Sequence, residues 1–244
     1  MSAPAGVVTE LWRYPVKSML GERRARIDLE PRGVVGDRLY AVRDGEGKFG
    51  SGKNTRRFRL IQGLSGFTAH YEGTVPVVTF PGGDQLRGDD PHFGKELQKA
   101  LGRDDVRLTH EQAIPHLDDS PVHLVTDAAL SWLGDLVTGV DARRFRPNLV
   151  VATGLPRGQP ECNWIGRRVQ VGRSAVLECT HRTERCVMVS NAQSNLARNS
   201  DVLRTLAVRN DMQFGIYATV VVPGLIAIGD ELYLQDPALS QPSS

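Results

Sequence analysis

A chain of 244 residues with 40% hydrophobic and 24% charged side chains has ordinary globular composition and is long enough for one large domain or two small ones. A formal net charge of +2 excludes bulk attraction to nucleic acid or an anionic membrane, so any basic character that matters is local. Three cysteines, at 162, 179 and 186 with no C-x-x-C, exclude a disulfide framework, a zinc ribbon and an iron–sulfur ligand set. This usage points to a reduced compartment. With no signal-like N-terminus and no apolar run of membrane-spanning length, the expected location is the cytoplasm, away from membranes.

Short β-type runs separated by Gly, Pro and Asp predict barrels or strongly bent sheets, a mainly β fold with a few helices. Strands are expected at 7–13, 25–29, 39–42, 66–71, 75–80, 106–109, 122–125, 149–152, 169–171, 175–180, 186–189, 216–222 and 231–234. A helix over 91–101 should close at Gly102. A second begins at Thr126, whose hydroxyl can cap Ala128 or Ala129, and runs through Leu130, Leu133, Leu136 and Val137 until Gly139. The third, 201–208, has Ser200 or Asp201 as its cap and Asn210 as terminator. Pro115 and the acidic pair Asp118-Asp119 interrupt the pattern over 110–119. This predicts two β-rich halves, 1–112 and 118–236, with a frayed tail at 237–244. Ile165-Gly166-Arg167-Arg168 and Ile228-Gly229-Asp230-Glu231 each open a short alternating strand, as two barrel strands entered by similar turns would.

The run from Gly47 to Asn54 departs by one residue from a P-loop, with Asn54 where the magnesium-binding hydroxyl belongs. The strand before it, 39–42, alternates and is not a buried parallel one, and the run leads into the basic stretch Arg56-Arg57-Phe58-Arg59 instead of a helix. The segment therefore reads as a glycine-rich hairpin. Three loops carry cations suited to an anion: Tyr14-Pro15-Val16-Lys17-Ser18, Gly36-Asp37-Arg38 and Arg144-Phe145-Arg146-Pro147-Asn148. Cations at strand ends commonly just meet water, and each loop alone is weak. Cys186 directly follows Arg185 and lies near His181. It is either a small residue packed in a strand or a thiol poised to react or bind a soft metal.

Taken in order with Asp119-Ser120-Pro121, Asn163-Trp164, Phe214-Gly215-Ile216-Tyr217 and Ile228-Gly229-Asp230, these segments resemble MOSC-domain proteins over nearly the whole chain. The resemblance implies a β-barrel MOSC domain behind an N-terminal β-barrel-like domain, and a molybdenum cofactor, molybdopterin carrying the metal. It places Cys186 at the position of the molybdenum ligand. Lys17, Ser18 and Arg38 fall on positions that hold the phosphate and pterin; Thr126, Arg146 and Asn148 fall on pterin-side positions, with Arg185 and Tyr217 also matching. The implied activity is a molybdenum-dependent oxidoreductase acting on small N-hydroxylated molecules by N–O reduction. With no cysteine after Cys186 for a fused iron–sulfur domain, electrons are expected from a separate donor of ferredoxin or flavin-reductase type. The loop Val187-Met188-Val189-Ser190-Asn191 departs from the family's Thr-rich turn and is expected to line the substrate side. Two other readings stay open: a persulfide carried on Cys186 for cofactor or metal–sulfur assembly, and a barrel that grips a flavin phosphate.

Overall fold

A computed structural model describes residues 3–193 and 195–235. The alternating run 6–13 forms β1 (Gly6–Arg13), succeeded by the short β2 (Glu22–Arg24), β3 (Arg26–Glu30), β4 (Gly33–Val34), β5 (Tyr40–Arg43), β6 (Phe49–Ser51) and β7 (Phe58–Leu60). Next come β8 (Thr68–Glu72), β9 (Val75–Thr79), β10 (Gln85–Arg87), α1 (Phe93–Leu101) and β11 (Arg107–His110). The remainder comprises β12 (Val122–Thr126), α2 (Asp127–Gly134), β13 (Leu149–Ala152), β14 (Arg168–Val171), β15 (Ala175–Glu184), α3 (Ser200–Arg209), β16 (Gln213–Val222), β17 (Gly224–Ala227) and β18 (Glu231–Leu234).

Seven strands close into a barrel in the order β1, β13, β12, β16, β15, β14, β18 and back to β1, which removes every free edge from the ring. All pairings are antiparallel except β12 with β13, which are joined through α2. Inward residues of each strand, among them Val8, Leu11, Leu124, Leu149, Val169, Leu177, Ile216 and Leu232, are buried and form one core. The two look-alike segments become β14 and β18, adjacent and antiparallel with Val169 opposite Leu234. A second core, built from Val16, Met19, Val42, Leu64, Phe67, Phe93 and Leu97 among others, lies under the sheets β11-β5-β6-β7 and β10-β9-β8 and under α1.

The expected division into 1–112 and 118–236 cuts across the large sheet, because β1 is a barrel strand, and across the three-stranded sheet β17-β3-β4, where Ile27 lies opposite Ile226. Alternation marks a strand but does not say which distant strand completes it. The expected tail 237–244 lies outside the described residues. Among the described residues no helix is long and apolar enough to cross a membrane.

The helix starts and the end of α1 largely follow their signals, but α2 stops at Gly134, short of the expected Gly139, and two further corrections concern the cap of α3 and residues 186–189. Gly102 ends α1 in the left-handed conformation, and Thr126 caps α2 by accepting the Ala129 N–H at 3.1 Å. The cap of α3 is Asn199, one residue before those expected, accepting from the Asp201 N–H. Residues 186–189 do not form a strand: β15 stops at Glu184, and Val187–Ser190 turn as a 3-10 helix in which the Cys186 carbonyl accepts the Val189 N–H at 3.2 Å. An apolar Val-Met-Val run fits either period. The turn buries Val189 against Phe145 and Phe214 and leaves Met188 half-buried toward a cleft.

Candidate functional site

Where the barrel meets the second core, a cleft of about 390 Å³ is lined by Ser18, Arg38, Ser51, Lys53, Phe58, Asp118, Asp119, His123, Arg144, Phe145, Arg146, Glu184, Arg185, Cys186, Met188, Val189 and Tyr217. It gathers six of the expected site residues, Ser18, Arg38, Arg146, Arg185, Cys186 and Tyr217, from segments far apart in the chain. Lys53, on the glycine-rich hairpin, also borders it. The hairpin itself forms where β6 pairs antiparallel with β5, Arg43 opposite Phe49.

Backbone strain marks the same place. Only five non-glycine residues among those described have positive φ. Three of them, Ser18 at 67°, Arg38 at 52° and Arg146 at 54°, line the cleft. The other two, Asp211 and Met212, form the turn whose Met212 carbonyl accepts the Arg185 N–H at 2.6 Å. Such conformations cost about 1–3 kcal/mol each and persist only where the surroundings dictate them. Gly215, φ 74°, serves the same wall: a Cβ there would lie 2.8 Å from His123 Nε2 and 2.7 Å from the Leu124 carbonyl.

Arg38 and Arg146 lie over the ring of Tyr14, 4.9 and 4.3 Å from its centroid. Arg38 is paired with the buried Asp37, which also accepts the Tyr14 N–H at 2.7 Å. Arg146 donates to the Met19 carbonyl, but its Nη2 is buried without a partner; burial, then the nearby Arg38, lowers its pKa to about 10. Arg185 Nη2 donates to the Phe145 carbonyl at 2.6 Å and Nη1 lies 3.3 Å from His123 Nε2, while its Nε has no partner. Burial, with Arg185 and Arg38 adding repulsion, holds His123 well below its ordinary pKa and therefore neutral. Buried guanidinium N–H groups left unpaired are costly, and an anionic or carbonyl-rich ligand in this cleft would satisfy them.

Several expected site residues are placed differently. Lys17 is buried behind the wall, with Nζ donating to the His116 carbonyl at 2.8 Å and paired with Asp118. Its charge is thus already engaged. Ser18 donates its hydroxyl to the Gly50 carbonyl at 2.9 Å. Thr126 and Asn148 do not line the cleft: Thr126 caps α2 and donates to Glu161 at 2.6 Å, and Asn148 accepts the His123 N–H at 3.1 Å while donating to the Trp12 carbonyl at 3.3 Å. Asn148 thus ties β12 to β1, and Thr126 ties the start of α2 to the 3-10 turn that carries Glu161. Arg144 reaches the cleft but donates to the carbonyls of Gly139 and Ala197, at 3.0 and 2.8 Å, and so ties down the loop after Cys186.

The acidic pair that reads as a linker in the sequence supplies two carboxylates to the cleft. Desolvation of Asp118 is outweighed by Lys17 and Arg38, which hold its carboxyl well below the usual range. Its lysine partner stands 101 residues away, so no local signal announces the pair. Asp37 and His123 are likewise site residues that sequence reasoning does not single out, although Asp37 sits inside a triplet chosen for its arginine. Glycine at 52 is the other local signal: a Cβ there would press on Met188 Sδ, so the hairpin and the side chains of the loop after Cys186 pack closely at this point.

Comparison with known proteins gives matches to two family models, the MOSC N-terminal beta barrel domain over residues 5–138 and the MOSC domain over residues 89–233. The chain is 24% identical to bovine (Bos taurus) mitochondrial amidoxime reducing component 2, across 93% of this chain and 83% of that protein. Among solved structures, the YuaD protein of Bacillus subtilis has a TM-score of 0.49 and 15% identity, with 94% of each chain covered. YiiM of Geobacillus stearothermophilus has a TM-score of 0.38 and 16% identity over 50% of this chain and 58% of its own. With the family models covering most of its length, this chain belongs to the MOSC-domain proteins, with a MOSC N-terminal β-barrel region ahead of the MOSC domain.

Proposed function

We propose that the cleft holds a molybdenum cofactor, with the Cys186 thiolate as protein ligand to the metal, and that the protein reduces small N-hydroxylated molecules with electrons from a separate redox protein of ferredoxin or flavin-reductase type. The observation that carries this reading is the placement of the Cys186 thiol on the same wall as Arg146 and Arg185, whose buried N–H groups lack partners. The donor set suits the group. Among the described residues no three His, Cys, Asp or Glu side chains converge on one point, so a metal here would arrive with most of its ligands, as it does on a pterin dithiolene. One soft thiolate completes such a set. The distant likeness to an amidoxime reducing component supports the substrate class.

When bound, the cofactor would supply the two-electron chemistry at the N–O bond. The chain's own groups bind and orient. Arg38, Arg146 and Arg185 present fixed positive charge and planar N–H arrays to phosphate and pterin oxygens. Asp118 keeps Lys17 in place, and Asp37 holds Arg38. Burial, partly offset by Arg185, raises the Tyr217 pKa, so its phenol stays protonated and can donate a hydrogen bond. Phe58, Met188 and Val189 give the cleft apolar walls that limit water.

The test is molybdenum and pterin analysis of the protein purified from a molybdenum-competent host, beside Cys186→Ala, with amidoxime reduction measured using a reduced dye. Bound molybdenum with reduction that the substitution abolishes is the expected result. Absence of molybdenum and pterin from the wild type, even after cofactor is added, overturns it. Sulfane sulfur transferred to Cys186 by a cysteine desulfurase, without amidoxime reduction, would assign the carrier role instead.

A further inference from the structure

Reduction of an amidoxime consumes protons as well as electrons: R–C(NH2)=N–OH + 2 e⁻ + 2 H⁺ gives R–C(NH2)=NH + H2O. The donor protein brings the electrons; the protons have to cross the cleft wall. Most titratable groups there are unable to carry them. Asp118 is held as a carboxylate by Lys17 and Arg38. His123 is buried and neutral, and its Nε2 faces the Arg185 guanidinium, so that nitrogen accepts and offers no proton. Tyr217 gives up its proton reluctantly, and the guanidiniums stay charged. Lys53 sits over the Phe58 ring, 5.2 Å from its centroid. Glu184 has no hydrogen-bonded proton source among the described residues.

Asp119 differs from all of these. It lines the cleft, and its Oδ2 lies 2.7 Å from Nε2 of His181, whose side chain is 46% exposed. A register shift in β15 between Cys179 and His181 sets His181 opposite Tyr217, and the His181, Tyr217 and His123 rings follow in sequence, tilted against one another by 50° and 54°, with centroids 5.4 Å apart at each step. The imidazole is thus held by a ring on one side and a carboxylate on the other, with solvent at its edge.

We propose that Asp119 and His181 form a proton relay from solvent to the cleft that serves the reduction assigned above, and the inference rests on that reading. The His181 imidazolium gives its Nε2 proton to Asp119 Oδ2. Asp119 passes a proton to the departing hydroxyl, which leaves as water, and a second passage protonates the nitrogen. His181 is recharged from solvent each time. Asp119 is the group that meets the substrate, while His181 supplies it and holds it in place. The charged and titratable groups facing the pair are Tyr217 from β16, the Asp118–Lys17 pair beside Asp119 in the loop, and Arg185 and Arg38 across the cleft. On its own strand, Glu184 borders the cleft, whereas Arg182 turns away to Asn210 and Gln159.

The test uses the molybdenum-loaded protein with benzamidoxime and reduced methyl viologen, which removes the donor protein from the rate. Asp119→Asn and His181→Ala should each lower kcat by about 100-fold or more with KM nearly unchanged, the size of a lost general-acid step. Added imidazole should restore His181→Ala but not Asp119→Asn, which a merely structural role would not produce. Apart from activity, ¹⁵N-histidine spectra should show a protonated Nε2 on His181 that is perturbed in Asp119→Asn, with or without cofactor. Variants that keep the wild-type kcat, a His181→Ala enzyme indifferent to imidazole, or an Nε2 signal indifferent to Asp119 would each overturn the relay alone. A molybdenum-loaded wild type that reduces no amidoxime would overturn the proposed function and the relay with it.

Discussion

The barrel interior and the cleft wall share strands and even neighbouring residues, yet they treat polar groups in opposite ways. On β12, Leu124 points into an apolar core, while His123, one residue earlier, faces the cleft. Among the polar groups beside the barrel, Asn148 and Thr126 are matched, although Glu161 Oε1, Thr183 Oγ1 and the Nε atoms of Arg167 and Arg182 have no partner. Asn148 joins the His123 N–H to the Trp12 carbonyl, and Thr126 joins Ala129 to Glu161. In the cleft, Arg146 and Arg185 are buried with unpaired N–H groups, and Ser18, Arg38 and Arg146 hold strained backbone. The difference teaches that the cleft wall combines unpaired cationic N–H groups with strained backbone, as a surface arranged for a ligand does, whereas the barrel interior is an apolar core.

The largest effect that sharpens this contrast belongs to Cys186. Cys186→Ala should lower amidoxime reduction by at least about 1000-fold, equivalent to about 4 kcal/mol of transition-state stabilisation. Thermal unfolding of the cofactor-free protein should barely change, because a half-buried thiol contributes little packing. Parallel activity and melting measurements check it. Asn148→Ala should do the reverse. It leaves the His123 N–H and the Trp12 carbonyl without partners at a site 1% exposed, costing about 2–3 kcal/mol in urea unfolding while molybdenum per folded chain stays the same. Loss of cofactor with unchanged stability would return Asn148 to the pterin site.

Acid should act on the matched and unmatched regions together through two buried histidines. Burial lowers the His116 pKa to about 4 and holds His123 well below its ordinary value, so both are neutral in the folded protein. The unfolded chain takes up their protons below about pH 6.5 while the folded chain does not. Their contribution is therefore fully present above that pH. It is lost as pH falls, at up to about 1.4 kcal/mol per unit for each histidine, levelling off for His116 below about pH 4. Urea midpoints at pH 7.5, 6 and 5 check the slope, and His116→Gln should flatten it.

The strands and helix ends are legible in the sequence because their causes are local: alternation in 149–152 and 231–234, a threonine before α2, a glycine after α1. The cleft is legible only in part. Its cations stand out in short loops, and a family resemblance assembles them around Cys186. What stays hidden is what depends on distant partners. Asp118 looks like a linker residue because Lys17, the charge it holds, is far away in the chain. Thr126 and Asn148 match a pattern, but the pattern does not reveal whether a side chain turns toward the cleft or toward the neighbouring strand. Residues 186–189 have strand composition and turn because β15 has already ended at Glu184.

Arg146 carries a small expected change in stability and bears most directly on the contrast. Its guanidinium is buried, donates to the Met19 carbonyl and leaves Nη2 unpaired, while its backbone is left-handed. Arg146→Met keeps the length and apolar stem of the side chain and removes the buried charge. The lost hydrogen bond and the relieved desolvation oppose one another, and replacing buried ionic groups by apolar ones is often neutral or stabilising. The unfolding free energy of the cofactor-free protein should therefore change by less than about 1 kcal/mol. Retention of pterin should fall sharply, because the group that the cleft lacks a partner for is the one removed. Denaturant unfolding and pterin fluorescence on the same preparation check both halves. A loss of several kcal/mol with pterin retained would mean that Arg146 belongs with the barrel's matched groups and not with the ligand.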